Sequence, residues 1–552
     1  MSYNQSLYSY INSNHNILDN MVLEFHTNTK NNSIPKELIC NMDINIDDVT
    51  PESFGCLEIK TGETSINIDP VFFLFSIDES ASMSEICKDG KTKMEHVHFT
   101  MNQMLHYFVE NPETTIYVNV TTFNNKIKTV IDTTMISHNN VNEILEKIKK
   151  IRPTDSTNLE LALKTANQIM DDYVKITSQK NQQHRIVHIL LTDGCPTAGD
   201  SDETNLSSLV NDKYCNTFIA FGLDHNPSLM NKLGNIGKNT SNYLVEKLEL
   251  IGNVYGEIVY NQLYKVLDNV IINVDNGFIY DWYTNEWKST LHIGSLSNEA
   301  IKYYYIKSSD TEKCLVEITG RPIDRDAGLL FKECQKKIPD LLITNDSNDS
   351  NDSIERIVYV DLTRHILRLC TQRLLYEARQ YADTDVNSNS NSNSNNNNNY
   401  LWSRPIYNKN EMIRSTHHHH NHHHHFEQQI EMFENDSYLN SELHQKSALE
   451  ILKQKIYKHL EFMNNYLNTT NSDEFVQKLC EDMEITLKTL GTEKQQLYLN
   501  ARSTSQGTQQ MYNVTIDDFN SNENNNEINN LSVNNAYATP TALKIMRGFS
   551  SN

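Results

Sequence analysis

The spacing of apolar and polar positions changes several times along the chain. From about residue 71 to 265, short apolar runs alternate with stretches of helical spacing, which predicts βαβ units and a parallel sheet. Strands are predicted over VFFLFSI from Val71, TTIYVNVTTF from Thr114, RIVHILLT from Arg185, NTFIAFGL from Asn216 and YLVEK from Tyr243. Helices fit between them. Met94, Val97, Met101, Leu105 and Phe108 recur every three or four residues, VNEILEKIKKI and NLELALKTANQIMDDYV follow, and NVYGEIVYNQLYKVLDN closes the unit. Beyond it the period drops to two: NVIINVDNGFIYDWYTNEWKSTLHIGSL and IKYYYIKSSDTEKCLVEITG read as antiparallel strands with turns such as Asp275-Asn276-Gly277.

The domain organisation follows these changes. Residues 1–36 are polar, Asn-rich and expected to be largely disordered, and 37–66 hold short β segments. Residues 67–267 form an α/β domain with a doubly wound, mainly parallel, Rossmann-like sheet. A small antiparallel β-rich domain spans 268–340, and the 37–66 segment is expected to join it in one sandwich with the α/β domain inserted between. A helical segment at 350–383 precedes a low-complexity Asn/Ser and His linker at 384–425, which cannot bury apolar surface. Its HHHHNHHHH run, broken by Asn421, reads as a repeat expansion in a loop. A helical region at 426–500 and an Asn-rich tail at 501–552, expected to be loose, complete the chain.

Length and charge narrow the function. A chain of 552 residues buries two or three cores without staples. Its nine cysteines are scattered and form no CxxC pair, which points to reduced thiols in a cytoplasmic protein. The N-terminal stretch has no basic and apolar leader pattern, and no apolar run approaches bilayer length, so membrane insertion is not expected. A formal net charge of -23 argues against nonspecific binding to nucleic acid or anionic membranes.

The candidate chemistry lies where strands end. The first parallel strand gives way to Asp78-Glu79-Ser80-Ala81-Ser82, and ligands of open α/β sheets bind at the carboxyl ends of strands. Asp78, Ser80 and Ser82 offer three oxygens from one tight loop, a set suited to a hard cation such as Mg²⁺. Two further polar signals begin other connections of the same sheet: Thr157 before a helix, and Asp193 after the strand HILLT. Thr157-x-x-Glu160 also has the form of a capping box. Other motifs read as structure. GNIGKNT lacks the spacing of a phosphate loop, His96, His98 and His106 lack zinc spacing and read as surface residues, and Cys195 and Cys215 read as buried thiols.

Taken together, DESAS, the Thr157 loop and the Asp193 turn resemble the metal-ion-dependent adhesion site of von Willebrand factor type A domains, over roughly residues 70–265. The resemblance implies that Asp78, Ser80, Ser82, Thr157 and Asp193 surround one divalent cation, Mg²⁺ or Mn²⁺. Ala81 stands where the family often has glycine, and Asp155-Ser156 where a glycine pair often precedes the threonine. The downstream β unit and helix are similar to a region found in intracellular members, one related to inteins, but no splice junction is present.

The function expected from this reading is metal-dependent protein binding, with an exposed Asp or Glu of a partner reaching the cation. No nucleophile or general base stands beside the motif, so an enzyme is not expected. Two alternatives stay open: a substrate-recruiting subunit of an enzyme complex, associated with a ubiquitin ligase or an ATPase, and a scaffold with an unused metal site.

Overall fold

The computed structural model describes residues 18–25, 54–62, 70–323, 336–337, 362–390, 439–509 and 537–550, apart from 88–89, 111–113, 223–225, 246–250, 471–472 and a few single positions. Two strands, β1 (Leu18–Phe25) and β2 (Phe54–Thr61), come first. The α/β domain then runs β3 (Val71–Asp78), α1 (Lys93–Glu110), β4 (Ile116–Phe123), β5 (Ile127–Met135), α2 (Val141–Ile148), α3 (Leu159–Gln179) and β6 (Arg185–Thr192). It continues with α4 (Glu203–Ser208), β7 (Cys215–Phe221), α5 (Pro227–Gly234), β8 (Thr240–Val245) and α6 (Ile251–Leu263).

All eight residues of β3 are buried. Phe73 and Phe75 join the core formed with α1 and α6, whereas Phe72 and Leu74 pack with Ala166, Met170 and Tyr173 of α3. A strand covered on both faces needs such an unbroken apolar run. Each of these phenylalanines contributes roughly 1.5–3 kcal/mol by leaving water. The sheet order is β5-β4-β3-β6-β7-β8. β3 pairs in parallel with β4 and β6, and β7 lies parallel between β6 and β8, while β5 runs antiparallel along β4. The doubly wound, mainly parallel fold is therefore as expected, but β5 is an addition. Only Ile131 of β5 is buried, so this edge strand leaves almost no hydrophobic pattern to read.

Two antiparallel sheets follow, built from β9 (Lys265–Asp275), β10 (Phe278–Asp281), β11 (Glu286–Lys288), β12 (Thr290–Ser297), β13 (Ile301–Lys307), β14 (Leu315–Pro322) and β15 (Lys336–Lys337). Their orders are β1-β2-β13-β10-β11 and β12-β9-β14-β15. Leu57 and Ile59 of β2 pack with Val270 and Ile272 of β9 and Val316 and Ile318 of β14, so the sheets face each other. β2 pairs with β13, from Phe54 opposite Lys307 to Lys60 opposite Ile301, which places the α/β domain as an insertion between two strands of one sheet. The other face of that sheet, with Phe54, Cys56, Tyr280 and Tyr305, is covered by helices. These are α7 (Thr363–Ser390), α8 (Leu439–Thr470), α9 (Glu474–Thr489) and α10 (Gln495–Thr508), and a last helix is α11 (Pro540–Ser550).

Three sequence expectations need correction. Leu18–Phe25, placed in a largely disordered 1–36 segment, pairs with β2 as β1, because Leu18, Met21 and Phe25 supply buried apolar side chains. The helix expected to end at 383 continues to Ser390, into the stretch assigned to the linker. The rest of that linker, including the histidine tract, lies outside the described residues. The tail expected to be loose from 501 carries the end of α10 and all of α11. α11 docks on α6 at Gly252 and Gly256, where an added Cβ would come within 2.6 Å of Phe549 O and 2.8 Å of Met546 Cα. Glycine at i and i+4 opens the groove that lets the two backbones approach.

Buried histidines give the fold a pH limit. Burial pushes the imidazoles of His188 and His459 down to about 4 and that of His365 down to about 3. A lowered histidine pKa means the unfolded chain takes up protons first. The histidines' contribution to stability is therefore complete above about pH 6.5 and falls as pH drops toward 4, by up to about 3 kcal/mol for each histidine. Urea denaturation at pH 7.5 and 4.5 checks this, and an unchanged midpoint contradicts it.

Candidate metal centre

The carboxyl ends of β3 and β6 bring two aspartates to the same edge of the sheet. Asp78 ends β3 and is completely buried. Its Oδ1 accepts from Ser80 N at 2.8 Å and its Oδ2 from Thr192 Oγ1 at 2.7 Å. Asp193 follows β6, is 1% exposed, and accepts from Ser82 Oγ at 2.8 Å on Oδ1. Ser80 Oγ and Ser82 Oγ lie 3.1 Å apart. The hydroxyls of Ser82 and Thr157 flank Gly194, each 3.9 Å from the position of an added Cβ there. All five residues singled out in the sequence are thus gathered around one sheet edge.

Backbone hydrogen bonds fix the three loops to one another. Ala81 N donates to Asp155 O at 3.0 Å and Thr154 N to Glu79 O at 2.7 Å. Thr157 N donates to Thr197 Oγ1 at 2.8 Å, while Thr197 N and Ala198 N donate to Thr157 O. Asp155, which stands where the resemblance leads one to expect glycine, has φ +70°, and its own Oδ1 accepts from Ser156 N. Aspartate tolerates this left-handed region better than most residues because its short side chain bonds locally. The capping-box reading of Thr157 does not hold. Asn158 caps α3 by accepting from Leu161 N, and Glu160 instead accepts from Asp200 N at 2.9 Å. The Thr157 hydroxyl therefore has no part in the helix cap.

Charge is distributed unevenly. Burial, opposed by hydrogen bonds from Ser80 and Thr192, raises the Asp78 carboxyl to about 6. Among the described residues no ion pair reaches Asp78. Asp193, in contrast, accepts from Lys93 Nζ at 2.8 Å on Oδ2, and Lys93 also donates to Glu85 Oε2 at 2.5 Å. Burial acts against the Lys93 ammonium, but bonds to the two carboxylates hold its pKa above the ordinary value. Neither Lys93 nor Glu85 was found from sequence. The available signal was a base in the first turn of a helix, where the dipole favours an acid.

The donor set fits a hard divalent cation. It consists of oxygens alone, with two carboxylates and three hydroxyls, and one of the carboxylates is buried with its charge unmatched. Among the described residues no three His, Cys, Asp or Glu side chains cluster as metal ligands, so the hydroxyls of Ser80, Ser82 and Thr157 are needed to complete a coordination set. The rim is open: Ala81, Ser84, Glu85, Ile86 and Cys195 are exposed, which corrects the reading of Cys195 as a buried thiol. His96, read as a surface residue, is buried on α1.

A second polar group lies deeper on the same sheet face. Ser76 Oγ is 3.0 Å from His188 Nε2, whose Nδ1 is 3.1 Å from Asn216 Oδ1. A serine, a base and an orienting amide suggest nucleophilic chemistry. All three are at most 2% exposed, so no substrate reaches them, and they bridge β3, β6 and β7 internally.

Residues 73–195 match the family model described as von Willebrand factor type A domain. No curated protein matches the chain. Among solved structures, the chain is similar to a von Willebrand factor type A protein from Catenulispora acidiphila, with 12% identity and TM-score 0.41 over 60% of this chain and 78% of that one. It is similar to the ArnB paralog VWA2 from Sulfolobus acidocaldarius, with 13% identity and TM-score 0.41 over 89% and 98% of the two chains. It is also similar to proximal thread matrix protein 1 from the mussel byssus, in a form with a zinc-occupied MIDAS motif, with 15% identity and TM-score 0.26 over 37% and 47%.

Proposed function

Because residues 73–195 are a von Willebrand factor type A domain, of a family that commonly mediates protein–protein interaction, we propose that this chain is a cytoplasmic docking module rather than an enzyme. Asp78, Ser80, Ser82, Thr157 and Asp193 would hold Mg²⁺ or Mn²⁺, and an exposed Asp or Glu of a protein partner would bind to it. A divalent cation bound there supplies an open position for one hard anionic oxygen. The observation that carries the reading is the gathering of four oxygen-bearing side chains beside the buried carboxylate of Asp78, which has no ion-pair partner among the described residues. The fixed loops preorganise those oxygens, and the exposed rim leaves room for an incoming side chain. No described helix is long and apolar enough to cross a membrane.

One observation favours the scaffold alternative: the Lys93 ammonium already rests on Asp193 and could substitute for a metal's charge. A binding experiment separates the two readings. Partner capture by the full chain is expected in Mg²⁺ and lost in chelator. It should be weakened at least tenfold by Thr157→Ala and largely restored by Thr157→Ser, which keeps the hydroxyl. Replacing one acidic residue of the captured partner should abolish capture. Capture that is indifferent to chelator overturns the docking reading in favour of the scaffold.

A further inference from the structure

The two carboxylates of the centre are not equivalent, and a residue outside the ligand set makes them so. Lys93 is the first residue of α1 and is only 6% exposed, an unusual place for a lysine. Its ammonium reaches Asp193 Oδ2 at 2.8 Å and Glu85 Oε2 at 2.5 Å. The opposite oxygen of Asp193 faces Ser82, and both oxygens of Asp78 accept only from neutral donors. Burial and two carboxylate partners hold Lys93 in this place, with Gly222, just after β7, close beside its side chain. The ammonium is therefore a built-in part of the site's wall and not a wandering surface charge.

We propose that Lys93 is a positioning residue that sets the charge of the metal centre, offsetting part of the charge of Asp193 so that a bound cation faces less than the full charge of two carboxylates. This rests on the metal-docking reading above. Cation affinity in oxygen sites rises with the number of charged ligands, so Lys93 lowers affinity for the metal itself. For the same reason it leaves more positive charge on the cation to attract an outside carboxylate. Glu85, 57% exposed, shares the ammonium and moderates its effect on Asp193. The arrangement sacrifices tight metal binding for tight ligand binding.

The test uses the full chain, Mn²⁺ as the metal and acetate as the carboxylate probe. Electron paramagnetic resonance of free Mn²⁺ gives the metal affinity, and water-proton relaxation during an acetate titration gives the probe affinity. Lys93→Met, which keeps length without charge, is expected to bind Mn²⁺ at least tenfold more tightly and acetate at least threefold more weakly. Lys93→Arg should resemble wild type in both. Glu85→Gln, at an exposed side chain, should act oppositely, weakening Mn²⁺ binding severalfold, and remains informative if Lys93→Met fails to fold. Mn²⁺ affinity that is unchanged or lower in Lys93→Met, or unchanged in Glu85→Gln, overturns the proposal while leaving the docking reading intact. Absence of Mn²⁺ binding by wild type overturns both.

Discussion

Asp78→Asn is expected to abolish Mg²⁺ binding and, in the same protein, to raise the stability of the metal-free chain. Both effects come from one buried charge. Burial raises the Asp78 carboxyl from 3.8 to about 6. For a carboxyl whose folded pKa lies above its unfolded value, the sign is opposite to the usual acid case. The favourable contribution is complete below pH 3.8 and disappears as pH rises through 6. Above that, the ionised group destabilises the fold by about 3 kcal/mol, since each pKa unit is worth about 1.4 kcal/mol. Asparagine removes the charge and retains an oxygen for Ser80 N, although Thr192 must then accept instead of donate, which returns about 1 kcal/mol of the gain. Differential scanning at pH 7.5 should show the variant melting above wild type in chelator. In Mg²⁺ at a hundredfold excess over Kd, wild type should gain about 2.7 kcal/mol and the variant nothing. Equal stabilisation of both proteins by Mg²⁺ would remove Asp78 from the ligand set.

The largest loss of stability is expected far from that centre, from Asp482→Ala. Asp482 on α9 and Arg502 on α10 form an ion pair at 3.1 Å with both side chains 1% exposed. Gln506 Nε2 donates to the second carboxylate oxygen at 2.6 Å. Gln506 in turn accepts from Tyr537 at 2.7 Å, and its backbone carbonyl accepts from buried Arg368 of α7. Arg368 also donates to Tyr305 OH on β13 at 3.0 Å, so this polar chain joins the helices to the sandwich. Removing the carboxylate takes its ion-pair partner from a buried guanidinium, at a cost of about 3–5 kcal/mol. The double variant Asp482→Met with Arg502→Met should recover much of this, because neither member of the pair is then buried without the other. Urea denaturation followed by tryptophan fluorescence measures both. A loss below about 1 kcal/mol for Asp482→Ala would show that the pair is dispensable.

What the sequence reveals depends on how many faces of an element are buried. β3 and β6 were legible because burial on both sides forces a continuous apolar run, and their ends marked the site. β5, with one buried residue, was not. β1 and α11 were hidden because a few apolar side chains suffice once a partner surface exists: β2 for the strand, and the glycine groove of α6 for the helix. The ligand motif was legible as spacing within single loops. Lys93 was not, since its relation to Asp193 exists only after β6 is placed beside β3. The cap of α3 was misread by one residue because Thr157 and Asn158 are both competent caps, and the pull of the neighbouring loop on Thr157 decides between them.

The insertion of the α/β domain between β2 and β9, one strand from each sheet of the sandwich, determines how it takes a load. Chain enters at Val71, the amino end of β3, and leaves after α6, where Gln262 O accepts from Arg185 at the amino end of β6. Thr61, at the end of β2, is fastened to the sandwich by Thr61 Oγ1 donating to Ser297 O at 2.6 Å, and Lys265 at the start of β9 lies opposite the same Ser297. Both tethers therefore share one end of the domain, and the proposed docking face occupies the other. Tension from a partner bound as proposed would run along β3 and β6, loading their hydrogen bonds in shear, all at once, rather than peeling them apart one by one.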